Sequence, residues 1–213
     1  MLDRVKVKIC GLTREDDVKS SVEAGADLLG FIVHTPRSPR NIPLDKARRL
    51  MRSAGDAALK VAVTEASIRR LDRIVEALEP DYLQVHGTSI SDPDLEEIEG
   101  LLRKVDLIWA VSMSDPEAPR KAEALAGLFH GILLDTGKGG TGEIHDWRLS
   151  REIRDKIHPT RVYLAGGLTP GNVREAIRTV KPYCVDASSS LEEGPGIKDP
   201  VKVKAFISKA KGG

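Results

Sequence analysis

The sequence predicts an α/β fold, a single-domain (β/α)8 TIM barrel that takes up residues 1–213. Short apolar runs rich in β-branched residues alternate with segments of helical period, and this alternation is typical of a parallel sheet with right-handed crossovers. Eight such units in 213 residues are near the lower size limit of the barrel. Polar side chains stand at the ends of several predicted strands, and in a barrel those ends form one active face. We therefore expect one catalytic domain.

The predicted strands are apolar runs that suit strands buried on both faces. They lie at 5–10, 28–33, 59–63, 82–85, 107–111, 131–134, 162–165 and 183–187. An open doubly wound sheet is the alternative, but that fold usually offers one glycine-rich turn at a switch point. Polar residues end five or more strands here, so the barrel is favoured.

Residues that typically begin or end a helix follow the predicted strands. Thr13 is predicted to cap the first helix, with Glu15 in its first turn, and Gly25 to end it. The last helix is predicted over 201–211. Proline suits the first turn of a helix, where its missing N–H group is not needed. Five prolines stand where first turns are expected: Pro43, Pro93, Pro116, Pro170 and Pro200.

The composition limits the class of function. Lys and Arg total 33 against 32 Asp and Glu, a formal net charge of +1, so neither nucleic acid nor a membrane surface is expected as a partner. Two cysteines, Cys10 and Cys184, cannot form a framework of several disulfides, and residues 1–5 lack the apolar region of a signal peptide. A cytoplasmic protein is therefore predicted. The histidines show no metal-ligand spacing, so no metal is expected.

The first and sixth strands end in the two candidate catalytic residues, Cys10 and Asp135. A lone cysteine is more often an inert filler, but Cys10 ends its strand on the same inward face as Lys8 and precedes a glycine. Asp135 ends an apolar strand and leads into a glycine-rich stretch. The main-chain amides of that stretch, including Gly140 and Gly142, suit a lid that closes over an anionic substrate.

Two further loops predict a phosphate site. Gly166 and Gly167 follow the seventh strand, and Ser188 and Ser189 follow the eighth. Glycines allow a close approach of the main chain to an anion, and amides with a helix N-terminus supply donors. The barrel often binds phosphate after these two strands.

Candidate substrate-binding side chains stand at three other strand ends. Arg40, held by Pro39 after the second strand, is placed for two-pronged recognition of a carboxylate. His86 and Gln84 share one face of the fourth strand. Asp186, near the end of the eighth, is the inward carboxylate expected to pair with Lys8.

These segments together resemble the phosphoribosylanthranilate isomerase family over essentially the whole chain. The matching motifs are Lys8-Ile-Cys-Gly-Leu-Thr13, Ser38-Pro-Arg40, Leu83-Gln-Val-His-Gly87, Leu134-Asp-Thr136, Gly139-Gly-Thr-Gly142, Leu164-Ala-Gly-Gly-Leu168 and Val185-Asp-Ala-Ser-Ser189. The chain departs from the family pattern at His145, where phenylalanine is common, and at Ser190, where glycine is common.

The resemblance implies a role for each matching position. Cys10 would be the general base and Asp135 the general acid. Arg40 would bind the anthranilate carboxylate, and Asp186 would lie by the sugar. The loops at 166–167 and 188–189 would hold the phosphate. It implies a small phosphosugar as substrate, no cofactor, and a monomer or homodimer.

The implied reaction is an Amadori rearrangement of phosphoribosylanthranilate. Asp135 would protonate the ring oxygen of the sugar, and Cys10 would remove the C2′ proton. A free thiol has a pKa near 8.5 and a free aspartate near 3.9, so each is expected to need a shift, downward for Cys10 through Lys8 and upward for Asp135 through burial. Two alternatives remain open: the related aldose–ketose isomerase of histidine biosynthesis, and a non-catalytic phosphosugar-binding barrel.

Overall fold

The computed structural model describes residues 4–65, 67–87, 95–136 and 144–212. In this part of the chain, eight parallel strands close into a barrel in sequence order, with the eighth strand hydrogen-bonded to the first. The strands are β1 (Lys6–Ile9), β2 (Leu28–Ile32), β3 (Leu59–Thr64), β4 (Tyr82–Val85), β5 (Asp106–Ser112), β6 (Gly131–Asp135), β7 (Arg161–Leu164) and β8 (Cys184–Ala187). Each begins and ends within one residue of its prediction. The barrel is confirmed, and the open doubly wound sheet is wrong.

A helix follows each strand in sequence and covers the outside of the barrel. The helices are α1 (Glu15–Glu23), α2 (Leu44–Ser53), α3 (Leu71–Leu78), α4 (Leu95–Leu102), α5 (Ala118–Leu125), α6 (Trp147–Ile157), α7 (Val173–Val180) and α8 (Pro200–Ala210). Short 3-10 turns occupy Ile68–Arg70 and Ser189–Leu191. None of the helices described is long and apolar enough to cross a membrane.

The start of α1 differs from the prediction. The residue before the helix is Arg14, and no side chain caps it. Thr13 instead donates its hydroxyl to the main-chain oxygen of Gly196 at 2.6 Å, because a later segment of the chain packs against this loop. The predicted Thr13 cap is therefore wrong. Gly25 follows the end of the helix, as predicted.

The prolines agree with the prediction only in part. Pro200 is the first residue of α8, and Pro43 directly precedes α2. Pro116 and Pro170 lie in the loops two and three residues before their helices. Pro93 lies outside the described residues.

Alternation along each strand divides the buried residues into two sets. Val7 and Ile9 of β1 face outward and join the large core between barrel and helices. A smaller apolar cluster fills the barrel interior, and it includes Val61, Leu133 and Tyr163. The barrel is therefore packed at its centre, and open space is left toward the carboxyl ends of the strands.

A short antiparallel hairpin, which the sequence did not suggest, follows β8. Its strands are β9 (Glu192–Gly194) and β10 (Ile197–Lys198). The main-chain nitrogen of Lys198 donates to Asp17 Oδ2 in α1 at 3.2 Å. The hairpin thus joins the end of the chain to the first strand–helix unit, beside the active face of the barrel.

Tyr163 offers a test of the packing inside the barrel. Its side chain is buried, and its hydroxyl has no hydrogen-bond partner among the described residues. A buried hydroxyl without a partner costs about 1–3 kcal/mol, so we expect Tyr163→Phe to leave the free energy of unfolding unchanged or to raise it, as measured by urea denaturation. Tyr163→Ala, which removes the ring as well, should lower it by about 3–5 kcal/mol. A clear loss of stability in Tyr163→Phe would contradict this account of the hydroxyl.

Candidate active site

A cavity of about 800 Å³ opens at the carboxyl ends of the strands. Ten of the twelve predicted site residues line it, contributed by strands and loops from around the barrel. They are Cys10, Arg40, Gln84, His86, Asp135, Gly166, Gly167, Asp186, Ser188 and Ser189. The other two, Gly140 and Gly142, lie outside the described residues. One chain therefore brings the candidate acid, base and binding groups to a single cavity.

An ion pair between the first and last strands of the barrel lies directly below this cavity. Lys8 of β1 stands opposite Asp186 of β8, and Lys8 Nζ donates to Asp186 Oδ2 at 2.7 Å. The Lys8 side chain has no exposed surface. Burial alone would lower the pKa of Lys8, but the neighbouring carboxylate raises it above its usual value. Lys8 is therefore charged, and its predicted pairing with Asp186 is confirmed.

Burial affects the pKa of the Cys10 thiol more strongly than the neighbouring charges do. Burial raises the pKa of Cys10 above its usual value, although the positive charge of Lys8 acts in the opposite direction. Lys8 thus has the predicted effect, but the predicted net lowering of the thiol pKa is wrong. The reason is that Cys10 is only 7% exposed, and a thiolate loses its hydration there.

Gly30 of β2 is a site residue that sequence reasoning missed. A Cβ atom at this position would lie 2.8 Å from Cys10 Sγ and 3.1 Å from its Cα. The space beside the thiol therefore exists only because residue 30 has no side chain. The available signal was a single glycine inside the apolar run of the second strand, since such a glycine often marks a close approach.

Asp135 ends β6, which is three strands from β1 around the barrel, and it lines the cavity. Burial raises the pKa of its carboxyl, as predicted, although the main-chain N–H of Thr136 donates to Oδ1 at 2.8 Å and limits the shift. His145 lies near enough for its charge to affect Asp135. Burial lowers the pKa of His145, and its Nε2 bonds to the hydroxyl of Ser150 at 2.8 Å. A raised pKa gives Asp135 a larger protonated fraction near neutral pH, which an acid requires.

Gln84 and His86 form a hydrogen-bonded pair on β4 and the loop after it. Gln84 Nε2 and His86 Nε2 lie 2.6 Å apart. Burial lowers the pKa of His86 to about 4, and the charge of Lys8 adds to this effect. His86 is therefore neutral at pH 7 and accepts from the amide. Among the described residues, Gln84 Oε1 and Asp186 Oδ1 are buried acceptors without a donor.

The loops after β7 and β8 are held in shape and joined to each other. Gly166 and Gly167 have φ values of +81° and +65°, a region that favours glycine. The side chain of Asn172 accepts from Thr169 N at 2.8 Å and donates to Gly167 O at 2.9 Å. Ser190 Oγ donates to the main-chain oxygen of Leu168 at 2.5 Å. The departure from glycine at 190 thus adds a bond between the two loops.

Arg40 already has a carboxylate partner within the protein. Its Nε and Nη2 donate to the two oxygens of Glu192, both at 2.7 Å, and the Arg40 residue is 9% exposed. The sequence predicted a carboxylate partner for Arg40 but placed it on the substrate. Glu192 was missed, because nothing in the sequence indicates that β9 lies against the loop after β2.

Comparison with known proteins shows which family this chain resembles. The sequence profile described as N-(5′-phosphoribosyl)anthranilate isomerase matches residues 7–209. An N-(5′-phosphoribosyl)anthranilate isomerase of Methanothrix thermoacetophila is 39% identical over 211 residues, which cover 97% of this chain and 98% of that protein.

Two solved structures are similar over the same extent. The first is a monomeric form of the dimeric phosphoribosylanthranilate isomerase of Thermotoga maritima. It is 34% identical with a TM-score of 0.85, covering 98% of this chain and 99% of that one. A phosphoribosylanthranilate isomerase in complex with reduced 1-(o-carboxyphenylamino)-1-deoxyribulose 5-phosphate is also 34% identical, with a TM-score of 0.83 and the same coverage.

The influence of Lys8 on the thiol can be measured without any substrate. Alkylation by iodoacetamide, followed across pH, reports the pKa of Cys10, because Cys10 lines the cavity whereas Cys184 has no exposed surface. We expect Lys8→Met to move the midpoint to higher pH, since the thiolate loses a neighbouring positive charge. Lys6→Met, on the same strand with a 43% exposed side chain, is the control and should leave the midpoint unchanged.

Lys8→Met also leaves the charge of Asp186 unpaired, which costs about 3–5 kcal/mol. The double variant Lys8→Met/Asp186→Asn removes both charges and guards against loss of folding. Its midpoint should lie between those of the natural protein and Lys8→Met, because Asp186 raises the thiol pKa less than Lys8 lowers it. Superimposable profiles for all variants would refute the role given to Lys8.

Proposed function

This chain belongs to the N-(5′-phosphoribosyl)anthranilate isomerase family, and we propose that it performs the reaction of that family with the residues that meet in its cavity. It is a phosphoribosylanthranilate isomerase of tryptophan biosynthesis. The reaction is the Amadori rearrangement of phosphoribosylanthranilate to 1-(o-carboxyphenylamino)-1-deoxyribulose 5-phosphate. The observation that carries the proposal is the meeting of Cys10 and Asp135 in one cavity with both candidate phosphate loops.

The proposed mechanism divides the reaction between one acid and one base. Asp135 gives its proton to the ring oxygen of the ribose, the C1′–O bond breaks, and an iminium forms. The thiolate of Cys10 then removes the proton from C2′, and its electron pair gives an enolamine that tautomerises to the ketone. The step is an internal redox change, with C1′ reduced and C2′ oxidised, so no external electron carrier takes part.

The pKa directions determine how often acid and base are ready together. Burial raises the pKa of both Asp135 and Cys10. This favours the protonated acid but disfavours the thiolate. The active form, with Asp135 protonated and Cys10 ionised, is therefore a minor one of the free enzyme. Lys8 increases the fraction of the enzyme in this active form, because the positive charge of Lys8 stabilises the thiolate.

We propose that the substrate is held at its two ends and at the sugar. The phosphate would bind main-chain amides of Gly166, Gly167, Ser188 and Ser189, with Gly140 and Gly142 still proposed as donors. The loop that contains Gly166 and Gly167 leads into α7, whose N-terminus favours an anion.

The middle and the aromatic end of the substrate would meet side chains. Asp186 Oδ1 and Gln84 Oε1, the buried acceptors without donors, would accept from sugar hydroxyls, next to the neutral His86. Arg40 would bind the anthranilate carboxylate with the N–H groups that Glu192 does not use.

We further propose that residues 1–213 form one catalytic domain that acts in the cytoplasm as a monomer or homodimer. The reducing cytoplasm would keep the Cys10 thiol available as a base. A dimer is known for the similar Thermotoga protein, whereas ten predicted site residues meet in a cavity within one chain. Sedimentation analysis would decide between the two states.

The alternatives raised by the sequence have less support. The profile and the relatives match the anthranilate enzyme over nearly the whole chain. The histidine-pathway isomerase would favour a carboxylate base on β1 and a second phosphate loop where the chain has Arg40. A non-catalytic barrel would not explain why Cys10 and Asp135 line the same cavity.

Turnover of phosphoribosylanthranilate tests the assignment of acid and base. Cys10→Ala and Asp135→Asn should each lower kcat by roughly 10²-fold or more, the usual scale for losing a general acid or base. Substrate consumption would be followed by the loss of its fluorescence, with neither metal nor nucleotide added. Cys184→Ala, the same change at the other cysteine, is the control and should retain activity. A fully active Cys10→Ala enzyme would rule out the mechanism.

The pH dependence of kcat/KM tests the charge states. Because the active form carries a protonated Asp135 and an ionised Cys10, the profile should be bell-shaped, with the acid limb at the pKa of Asp135 and the alkaline limb at that of Cys10. Lys8→Met raises the thiol pKa. It should therefore move the alkaline limb to higher pH and lower the plateau, since a smaller fraction is in the active form. An alkaline limb at the position of the natural enzyme would contradict the proposal.

A further inference from the structure

Glu192 lies at the centre of a buried group of charges that the acid–base mechanism does not use. Its two oxygens accept from Nε and Nη2 of Arg40, both at 2.7 Å, and Oε1 also accepts from Lys198 Nζ at 2.7 Å. The side chains of Glu192 and Lys198 are 4% and 0% exposed. One carboxylate thus faces two cations at the edge of the active cavity.

The pairing with Glu192 leaves one side of Arg40 available. A guanidinium has five N–H donors in a rigid, planar arrangement. Glu192 takes the side formed by Nε and Nη2 and fixes the plane of the group. The remaining N–H groups, on Nη1 and Nη2, form the second two-pronged face. Arg40 lines the cavity, so that face is the one available to a bound carboxylate.

The same carboxylate is joined to the other parts of the site through Lys198. Lys198 Nζ donates to the main-chain oxygen of Ser188 at 3.2 Å, and Ser188 Oγ donates to the main-chain oxygen of Cys10 at 3.0 Å. Lys202 Nζ donates to the main-chain oxygen of Glu192 at 2.9 Å. Arg40 is therefore held in a fixed relation to the phosphate loop and to the base.

We propose that Glu192 is a positioning residue, which holds the Arg40 guanidinium in the plane that receives the anthranilate carboxylate. The inference rests on the proposed function, in which Arg40 binds that carboxylate. Holding a long side chain in its binding conformation in advance removes part of the entropic cost of binding. The balance of charge supports the proposal. Arg40 and Lys198 share the single carboxylate of Glu192, and the substrate carboxylate would add a second negative charge to these two positive ones.

The test compares two substrates that differ only in the carboxylate. They are phosphoribosylanthranilate and the corresponding N-phenyl ribosylamine 5-phosphate made from aniline. Glu192→Gln should raise KM for the anthranilate substrate by about 10-fold or more, the scale of a lost hydrogen bond to a charged group. It should change KM for the phenyl substrate by less than about twofold and leave kcat within about threefold. Glu193→Gln, the same change at the exposed neighbour on the same hairpin, should alter neither KM.

Arg40→Ala separates failure of this inference from failure of the proposed function. If Arg40→Ala leaves the ratio of the two KM values unchanged, Arg40 does not bind the carboxylate and the proposed function of that residue fails. If Arg40→Ala changes the ratio and Glu192→Gln does not, only the positioning role of Glu192 is overturned. The double variant Arg40→Ala/Glu192→Gln should have the same KM for the anthranilate substrate as Arg40→Ala alone, because both changes remove the same contact with the carboxylate.

Glu192→Asp keeps the proposal testable if Glu192→Gln fails to fold. The shorter side chain keeps the charge beside Arg40 and Lys198 but cannot hold both prongs at the present distances. Its KM for the anthranilate substrate should rise, by less than in Glu192→Gln, while KM for the phenyl substrate stays the same. Equal increases for both substrates would show that Glu192 supports the fold only, and would overturn the inference.

Discussion

The contact between Lys8 and Asp186 joins the two strands at which the barrel closes. The residues are 178 positions apart in sequence and 2.7 Å apart in space. Removing two charges from water is expensive, and the cost is recovered only where each meets its partner with good geometry. The seam between β1 and β8 therefore has one acceptable register, in which Lys8 stands opposite Asp186. Cys10 follows at the end of β1 and Ser188 just beyond β8, so this register also places the proposed base beside one of the proposed phosphate loops.

Burial has opposite consequences for the proposed acid and the proposed base. It raises the pKa of Asp135 and of Cys10 alike, which suits an acid and hinders a base. Opening the site to water would favour the thiolate but would also return Asp135 to its ionised state. A fixed positive charge below the thiol avoids this conflict, because it acts most strongly on the nearer group. The charge of Lys8 thus lowers the pKa of the Cys10 thiol in a site whose burial raises the pKa of Asp135, the proposed acid.

The sequence was sufficient for the barrel and for most of the candidate site, and the reasons are physical. Buried parallel strands need apolar runs, and polar residues at their ends stand out against those runs, as Asp135 does. The hairpin of Glu192 and Lys198 could not be foreseen, since a segment rich in charge and glycine looks like an exposed loop. Its burial depends on Arg40, 152 residues earlier in the chain. The direction in which the pKa of Cys10 shifts could not be predicted either, because burial and the charge of Lys8 act in opposite directions. Which of them is larger depends on the positions of the surrounding atoms.

The position of the ion pair at the seam has a consequence for the synthesis of the chain on the ribosome. The counter-ion of Lys8 is added 178 residues after it, which takes roughly 10–40 s at about 5–20 residues per second. Throughout that interval the lysine cannot enter an apolar interior with its native partner, since Asp186 has not yet been added. We therefore expect the first strand to remain hydrated until the last one arrives, so that an incomplete chain has neither a closed barrel nor Cys10 in its native environment.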